Sequence, residues 1–364
     1  PLPGEDMSKA VVYAPRLESI IRIEGSRNRP ARNISIRGIR LSVTTTPLRA
    51  GGFGAGRFDG AVQIGEAEDC ALEGVEVFNV GGQGIKASGR GLRVDKCHVH
   101  HTGACGVRIN GSGWTVADSH IHDVGLTYPS AIALPAGGSN SRIVHNEIHD
   151  TPYSAVTCGG SENVIEGNLI YKAMKVLHDG AGIYCFAGKS LVLRGNFIRD
   201  IVDTGGYGAS AYYLDERSEG CMVEGNLSLR VVRPSHNHMA KNNTIAKNVF
   251  VNDGDLVLTF PKSSGYTVEK NVMSAGGKIV FQNPDGIAEL KGNVLFSKAG
   301  KIEGRKMRDY TQVGTEGYTA GADNSMSDPL IRGAETGRIV YGQSSPAARL
   351  HIEAIDVSGA GVRK

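Results

Sequence analysis

The stretch SAVTCGGSENVIEGNLIYKA, residues 154–173, holds three short apolar alternations separated by Gly, Ser, Glu and Asn, and then the pattern starts again. SAVTC, NVIEG and LIYKA are each too short for a helix, and the breaks between them are turn formers. The apolar-x-Gly/Lys-Asn phrase inside this stretch, IEGN ending at Asn168, recurs up and down the chain. It returns as IVHN at Asn146, LRGN at Asn196, VEGN at Asn226, IAKN at Asn248, VEKN at Asn271 and LKGN at Asn293. Ser119, Cys97, Val75 and Ile39 fill the same slot earlier. The base spacing is about 22 residues, and a repeat that short buries its apolar side only by stacking on its neighbours. Three strands per turn predict an all-β fold, a right-handed parallel β-helix, with coils about 4.8 Å apart. The Asn slot predicts a corner, because a turn in left-handed geometry tolerates Asn and stacked amides bond to one another up the column.

Composition agrees with one long, turn-rich solenoid: 364 residues, 50 of them Gly, with 40% hydrophobic and only 6% aromatic. The predicted organisation is a β-helix with its cleft over residues 1–299 and a capping segment over 300–364, where the repeat fades. An uncapped end would expose core and unpaired strand edges. A net charge of +3 from 40 basic and 37 acidic residues argues against nucleic acid as a partner. No segment approaches the roughly 18 continuous apolar residues of a membrane span, so no membrane partner is expected. The chain opens on Pro1 rather than Met, which fits a processed protein, and the expected location is secreted or periplasmic. The six cysteines form no CxxC pair; Cys158 and Cys185 share an offset and inward parity, which predicts stacked core thiols with a disulfide as the alternative.

Where the spacing stretches, residues have been inserted. Between Ile39 and Val75 the excess is the Gly-rich TTTPLRAGGFGAGRF, a loop thrown out of the first coil. Later insertions fall mainly between the strand after the Asn corner and the next strand, so the loops border one strand ladder, the usual place for a binding face. The segment from His178 to Glu219 collects acids, tyrosines and two of these insertions. If Ile183 and Tyr212 face the core, period-two parity turns Tyr184, Phe186, Tyr213 and Asp215 outward and leaves Asp179 in the turn before its strand.

Asp179 and Asp215 are the predicted catalytic pair. Glycoside hydrolysis needs one carboxyl to protonate the leaving oxygen and a second to act as nucleophile or as base for water. Aromatic rings beside them suit the C–H faces of sugars. The predicted substrate-binding residues are His178, Tyr184, Tyr207, Tyr213, Glu216, His238 and Arg108, the substrate a polysaccharide or oligosaccharide, and no cofactor or metal is expected. For the pair to act together, Asp179 is expected to curl back across Gly180 and Gly182, bringing the carboxyls within about 10 Å. A polysaccharide lyase is the alternative enzyme, with Lys86, Arg108 or Arg217 as base, although no acid cluster of calcium spacing faces them. A non-catalytic glycan-binding β-helix is the alternative of another class.

The histidines His98, His100, His101, His120, His122, His145 and His149 raise a metal reading. His100, His122 and His149 share one offset in three successive coils, which predicts an outward column. A line of ligands about 4.8 Å apart does not converge on one ion.

The opening PLPGEDM and VVYAPRLESIIRIEG, the middle GGQGI and NEIHDTPYSAV, the acid motifs HDGAGIY and AYYLDERSEG, HMAKNN, and the tail SDPLI and SSPAARLHIEAID together resemble glycoside hydrolase family 141 over nearly the whole chain. The resemblance implies a parallel β-helix that hydrolyses glycans, with α-L-fucosidase and xylanase among the family's activities. It carries the paired acids to Asp179 and Asp215 and a site histidine to His238. It also implies further sequence ahead of PLPGEDM. Met239 and Ala240 stand where the family would place small glycines, which bears on the depth of the sugar pocket.

Overall fold

The computed structural model describes residues 3–308, 311–317 and 321–363. Residues 1–2, 309–310, 318–320 and 364, on which parts of the expected β-helix and capping segments fall, lie outside the described residues. Among the described residues the chain winds through three long sheets of 14, 11 and 11 strands. The coil opened above shows one turn: Val156–Ser161 lies in the first sheet, Val164–Glu166 in the second and Leu169–Tyr171 in the third. Each strand pairs in parallel with its equivalent one coil on, Val156 with Ile183, Ile165 with Leu193 and Ile170 with Ile198. All six of these side chains are fully buried. A three-residue strand has no stability alone; like-on-like stacking buries its central aliphatic side chain, contributing roughly 1.5–3 kcal/mol each time.

The corner after the second sheet differs from the expectation in one detail. The left-handed residue is the one before the Asn: Gly167 has φ 63°, Gly195 60°, Lys247 55° and Lys270 52°. The Asn itself points into the core, where only a side chain with both donor and acceptor satisfies its surroundings. Asn168 Oδ1 accepts from the backbone N (2.9 Å) and Nδ2 (3.0 Å) of Asn146, while its own Nδ2 donates to Ile143 O, Glu166 O and Asn196 Oδ1. The same arrangement continues through Asn293, whose N and Nδ2 donate to Asn324 Oδ1. Asn324 is a rung that the phrase search does not find, because GADN lacks the apolar-x-Gly/Lys frame.

At its C-terminal end the first sheet gains Ile302–Arg308, parallel to Ile279–Gln282 and beyond the expected boundary at 299. Thr311–Gly317 then pairs with it antiparallel. The rest of the tail turns back over the outer face of the third sheet. There Ile339, Ala347, Ile352 and Val357 cluster with Phe197, Leu227, Leu229, Val249, Val272 and Val294. Outward positions of the third sheet are apolar in these coils, so they need a cover. The tail ends with Gly361 N on Gly167 O and with Arg363 on the carboxylate of Asp118. All six cysteines are buried and free, Cys158 and Cys185 being register partners without a disulfide. Among the described residues no helix is long and apolar enough to cross a membrane.

Candidate active site

Three successive strands of the first sheet, Gly180–Lys189, Ala209–Leu214 and Ser235–Asn237, assemble one polar cluster on its outer face. Parity works as expected: Ile183 and Tyr212 are in the core, Tyr184 and Tyr213 face out. Asp215 follows its strand directly, and its backbone N donates to Cys185 O (2.8 Å), which keeps the carboxylate on the same face. Tyr184 Oη, from the coil below, donates to Asp215 Oδ2 at 2.6 Å. His238 Nδ1, from the coil above, lies 2.9 Å from Oδ1, and its backbone N donates to Leu214 O. Both carboxylate oxygens are thus oriented by hydrogen bonds of the stronger, charge-assisted kind. A neutral His238 donating through Nδ1 leaves Nε2 bare. Burial and the bond to Asp215 push the Tyr184 pKa far up, so the phenol stays a donor. Beside Asp215 the ladder slips by one residue: Ala187, at φ 51°, is the extra residue of a bulge and donates from its N to Glu216 O.

Asp179 sits at the entrance of its strand. The backbone does not curl back across Gly180 and Gly182; the strand is regular from Gly180 and in register with Ala209. The turn is instead made at Asp179 itself, in left-handed geometry at φ 60°, fixed by Asp179 N on Gly208 O and by Tyr153 Oη on Asp179 O (2.8 Å). Asp179 lines a cleft of about 260 Å³ together with Tyr207, Tyr213, Arg233, His236 and His238. Although the residue reaches solvent at the cleft mouth, the surrounding walls push its pKa up, and the charge of Asp215 adds to the push. Arg233, His178 and His238 act in the opposite sense. The two acids therefore feel one another electrostatically.

The other predicted residues divide. Tyr213 is packed between Tyr184 (4.8 Å, edge-on) and His236 (4.2 Å), and Tyr207 stands exposed at the cleft. His178 packs edge-on against Tyr207 on the loop wall. Glu216 lies in the turn after Asp215 and lines none of the described cavities; the nearly buried Asp215 lines none of them either and reaches the cleft wall through His238. Arg108 does not join the acids either. It lies on Val107–Ser112, three strands below Gly180–Lys189 in the first sheet, where it binds Gln83 Oε1 and Gly54 O.

Three contributors are missing from the sequence reading. Tyr153 has its pKa pushed up to about 12 by burial, then by Asp179 and Asp215. Arg233 is held by Ser210 Oγ (2.7 Å) and Tyr207 O (2.6 Å). Phe53, from the first inserted loop, meets the ring of Tyr153 edge-on at 6.4 Å. Arg233 carried a usable signal, since RPSH places it just before a cleft strand; Phe53 carried none, because its loop spans four coils.

Further hollows lie along the same outer face of the first sheet. Phe53, Tyr184 and Phe186 border an apolar hollow of about 450 Å³, and Lys86, Arg108 and Asn110 border a further one of about 430 Å³ lower down. From the strand of Gln63 to that of Arg308 there are ten coil steps, roughly 48 Å at about 4.8 Å each. A larger cavity, about 860 Å³, lies under the tail on the third sheet, but Asp328 is the single acid in its lining. The smaller cleft carries Asp179 with Arg233, His236 and His238.

On the third sheet the histidines correct the expectation. His100, His122 and His149 do form a column, with rings 5.1 and 4.8 Å apart. A second column, His98, His120 and Glu147, stands beside it two residues earlier on the same strands, and the two converge.

No curated protein matches the sequence. A family model described as the right-handed beta helix region matches residues 60–228. Among solved structures, the chain is similar to a glycoside hydrolase, at 19% identity and TM-score 0.51, covering 65% of this chain and 50% of that one. It is similar to the catalytic unit of a thermostable α-1,3-glucanase from Streptomyces thermodiastaticus at 14% identity and TM-score 0.51, covering 82% and 54%. It is also similar to an alginate lyase at 11% identity and TM-score 0.51, covering 95% and 90%. The chain spans about half the length of the first two. At these identities the likeness is one of fold.

Proposed function

We propose that the chain is a glycoside hydrolase acting on a polysaccharide or oligosaccharide, with Asp179 as general acid and Asp215 as nucleophile or general base. The observation that carries this reading is the asymmetry of the two carboxyls. Asp179 has a raised pKa and faces the cleft, which suits a group that must deliver a proton. Asp215 is oriented through both oxygens by Tyr184 and His238, which suits a group that must attack in one direction. The row of hollows along the first sheet fits an extended glycan, and the aromatic residues lining them fit sugar faces. Two of the three fold relatives named above are glycosidases, in line with this reading. The family 141 likeness narrows it to fucosidase- or xylanase-like activity, with His238 as the positioning residue of Asp215, in a protein working outside the cytoplasm.

Asp179→Asn and Asp215→Asn test the assignment on aryl glycosides and plant polysaccharides. Each should lower kcat by roughly 10²–10⁴-fold or more while sugar binding persists. Full activity in both variants would overturn the site. Product anomer analysis by NMR then assigns retention or inversion, which the carboxyl spacing governs.

A second reading, a polysaccharide lyase, rests on Lys262, Arg308 and His238 around the same cleft. Elimination leaves an unsaturated, ultraviolet-absorbing product, and hydrolysis does not. Glycan binding without turnover on any substrate would instead favour a binding module.

A further inference from the structure

The outer face of the third sheet carries a cluster that the cleft does not use. Two columns of side chains run up neighbouring outward positions. One is Glu76, His98, His120 and Glu147; the other is Phe78, His100, His122, His149 and Tyr171. The rings of the second column are nearly parallel, at interplanar angles of 12°, 4°, 7° and 13° in order. Stacking alone would explain that column but not where the nitrogens point. His98 Nε2 lies 2.8 Å from His122 Nε2, and His120 Nε2 lies 2.8 Å from His149 Nε2, each pair joining the two columns diagonally across one coil step.

The outer partners of these rings decide which nitrogen is offered. Asp123 and Asp150, both in left-handed geometry just past their strands, swing their carboxylates back onto His122 Nδ1 and His149 Nδ1 at 2.7 Å. A carboxylate accepts and never donates when ionised, so each Nδ1 carries the proton and each Nε2 presents a bare lone pair. Asp150 is itself held by Lys175 Nζ at 2.7 Å. This is the carboxylate–histidine arrangement that orients metal-ligating imidazoles. On the upper pair a third donor completes the set: Glu147, fixed by Tyr171 Oη at 2.8 Å, has a carboxylate oxygen within 4.8 Å of the nitrogens of His120 and His149.

We propose that His120, His149 and Glu147 bind a divalent transition-metal ion of the zinc class, with water in the remaining position. Two nitrogens and one carboxylate are a donor set for zinc, cobalt, nickel or copper rather than for calcium or magnesium. At metal–nitrogen bonds of about 2.0–2.1 Å, tetrahedral ligands stand about 3.3 Å apart, so the two rings need to part by only about half an ångström. His120 must move its proton from Nε2 to Nδ1, a tautomer change with no net charge. The ion would then cross-link two successive coils, on a different sheet from the cleft.

Cobalt(II) and zinc titrations of the full chain, followed by visible d–d absorption and by calorimetry, test this. The intact protein should bind with a Kd below about 10 µM and show the intense visible bands of a four-coordinate nitrogen–oxygen site. His120→Gln, His149→Gln and the near-isosteric Glu147→Gln should each weaken binding at least tenfold. Asp150→Asn should weaken it by about 10–100-fold through loss of orientation alone. Far-UV circular dichroism identifies any variant that fails to fold, and Glu147→Gln serves where a histidine change does. Saturating zinc should also raise the thermal midpoint of the intact protein and not that of His149→Gln. No binding by the intact protein up to 1 mM cobalt or zinc would overturn the proposal. So would binding that His120→Gln and Glu147→Gln leave unchanged, and in either case the columns are a stacking device only.

Discussion

Replacing Asn196 by Leu should unfold the chain several degrees earlier, and the size of the loss follows from its bonds. Asn196 is the corner of the coil whose first strand follows Asp179 and whose successor carries Asp215. Its Oδ1 accepts from Asn168 N (3.0 Å) and Asn168 Nδ2 (2.9 Å), and its Nδ2 donates to Ile165 O (2.9 Å) and Asn226 Oδ1 (3.1 Å). Leu has a similar volume and makes none of these. Asn168 Nδ2 keeps Ile143 O and Glu166 O, and Asn226 Oδ1 keeps the backbone N of Asn196. That deletes four buried hydrogen bonds, each contributing roughly 0.5–1.5 kcal/mol, and leaves Asn168 N–H without a partner. The sum is about 2–6 kcal/mol. With an unfolding entropy of about 2.1 cal/mol/K per residue, the midpoint should drop by about 3–8 °C. Differential scanning calorimetry measures it, with Asn110→Ala, an exposed position on the first sheet, as a control expected to stay within about 1 °C. A drop below about 1 °C for Asn196→Leu would refute the ladder as a source of stability and leave apolar stacking as its only support.

Removing either donor of Asp215, by Tyr184→Phe or His238→Gln, deletes one charge-assisted hydrogen bond worth about 1.5–3 kcal/mol, so kcat/KM should fall roughly 10- to 150-fold in each. Both variants remaining within twofold of the parent would show that Asp215 does not act on substrate. The raised pKa of Asp179 makes a stability prediction with a definite sign. Between its unfolded value near 3.8 and its higher folded value the native state binds more protons, so stability falls as pH rises through that window. Asp179→Asn should therefore melt above the parent at neutral pH, with the difference closing below the unfolded value; a lower melting point at neutral pH would contradict the origin of the shift. Turnover should likewise fall as pH rises through the Asp179 pKa, because its protonated form is the acid. Arg363→Ala leaves the nearly buried Asp118 carboxylate without its cation and should speed proteolysis of residues 330–363 while cleft activity holds.

The fold was legible because the repeat is a consequence of stacking. A side chain such as Ile165 or Ile170 must match its neighbours one coil away, so apolar identity recurs at the coil length. The corner Asn was legible for a stronger reason: each amide needs the next one, so a break in the phrase would leave a buried donor unpaired. Parity then placed Tyr184, Tyr213 and Asp215 together on the outer face of the first sheet. What parity cannot give is the reach of a loop. Phe53 crosses four coils to meet Tyr153, and Arg108 stays three strands below the acids, because neither position obeys the repeat. The second histidine column went unread for a related reason. Following one column at a time hides the contacts between columns two residues apart, which is where His120 and His149 meet.

The cleft inherits its geometry from the stack in a way that makes it sensitive to register. Tyr184, Asp215 and His238 belong to three different coils, yet their hydrogen bonds require a fixed vertical spacing and an aligned offset along the strand. Ladder pairing sets the first, since Tyr184 lies beside Tyr213 and His236 beside Tyr213 in turn. The bulge at Ala187 affects only the strand beyond the site, where Gly160 pairs with Gly188, so the slip is absorbed after Phe186 and the cleft rows stay aligned. Had the extra residue fallen four positions earlier, Tyr184 would point into the core and Asp215 would lose one of its two donors. The corner amides resist such a slip at the far end of the same coils, because each must meet the next directly. The amide column and the Tyr184–Asp215–His238 cluster are therefore coupled through register, and on the proposed function a corner variant such as Asn196→Leu should lower turnover at temperatures well below its melting point.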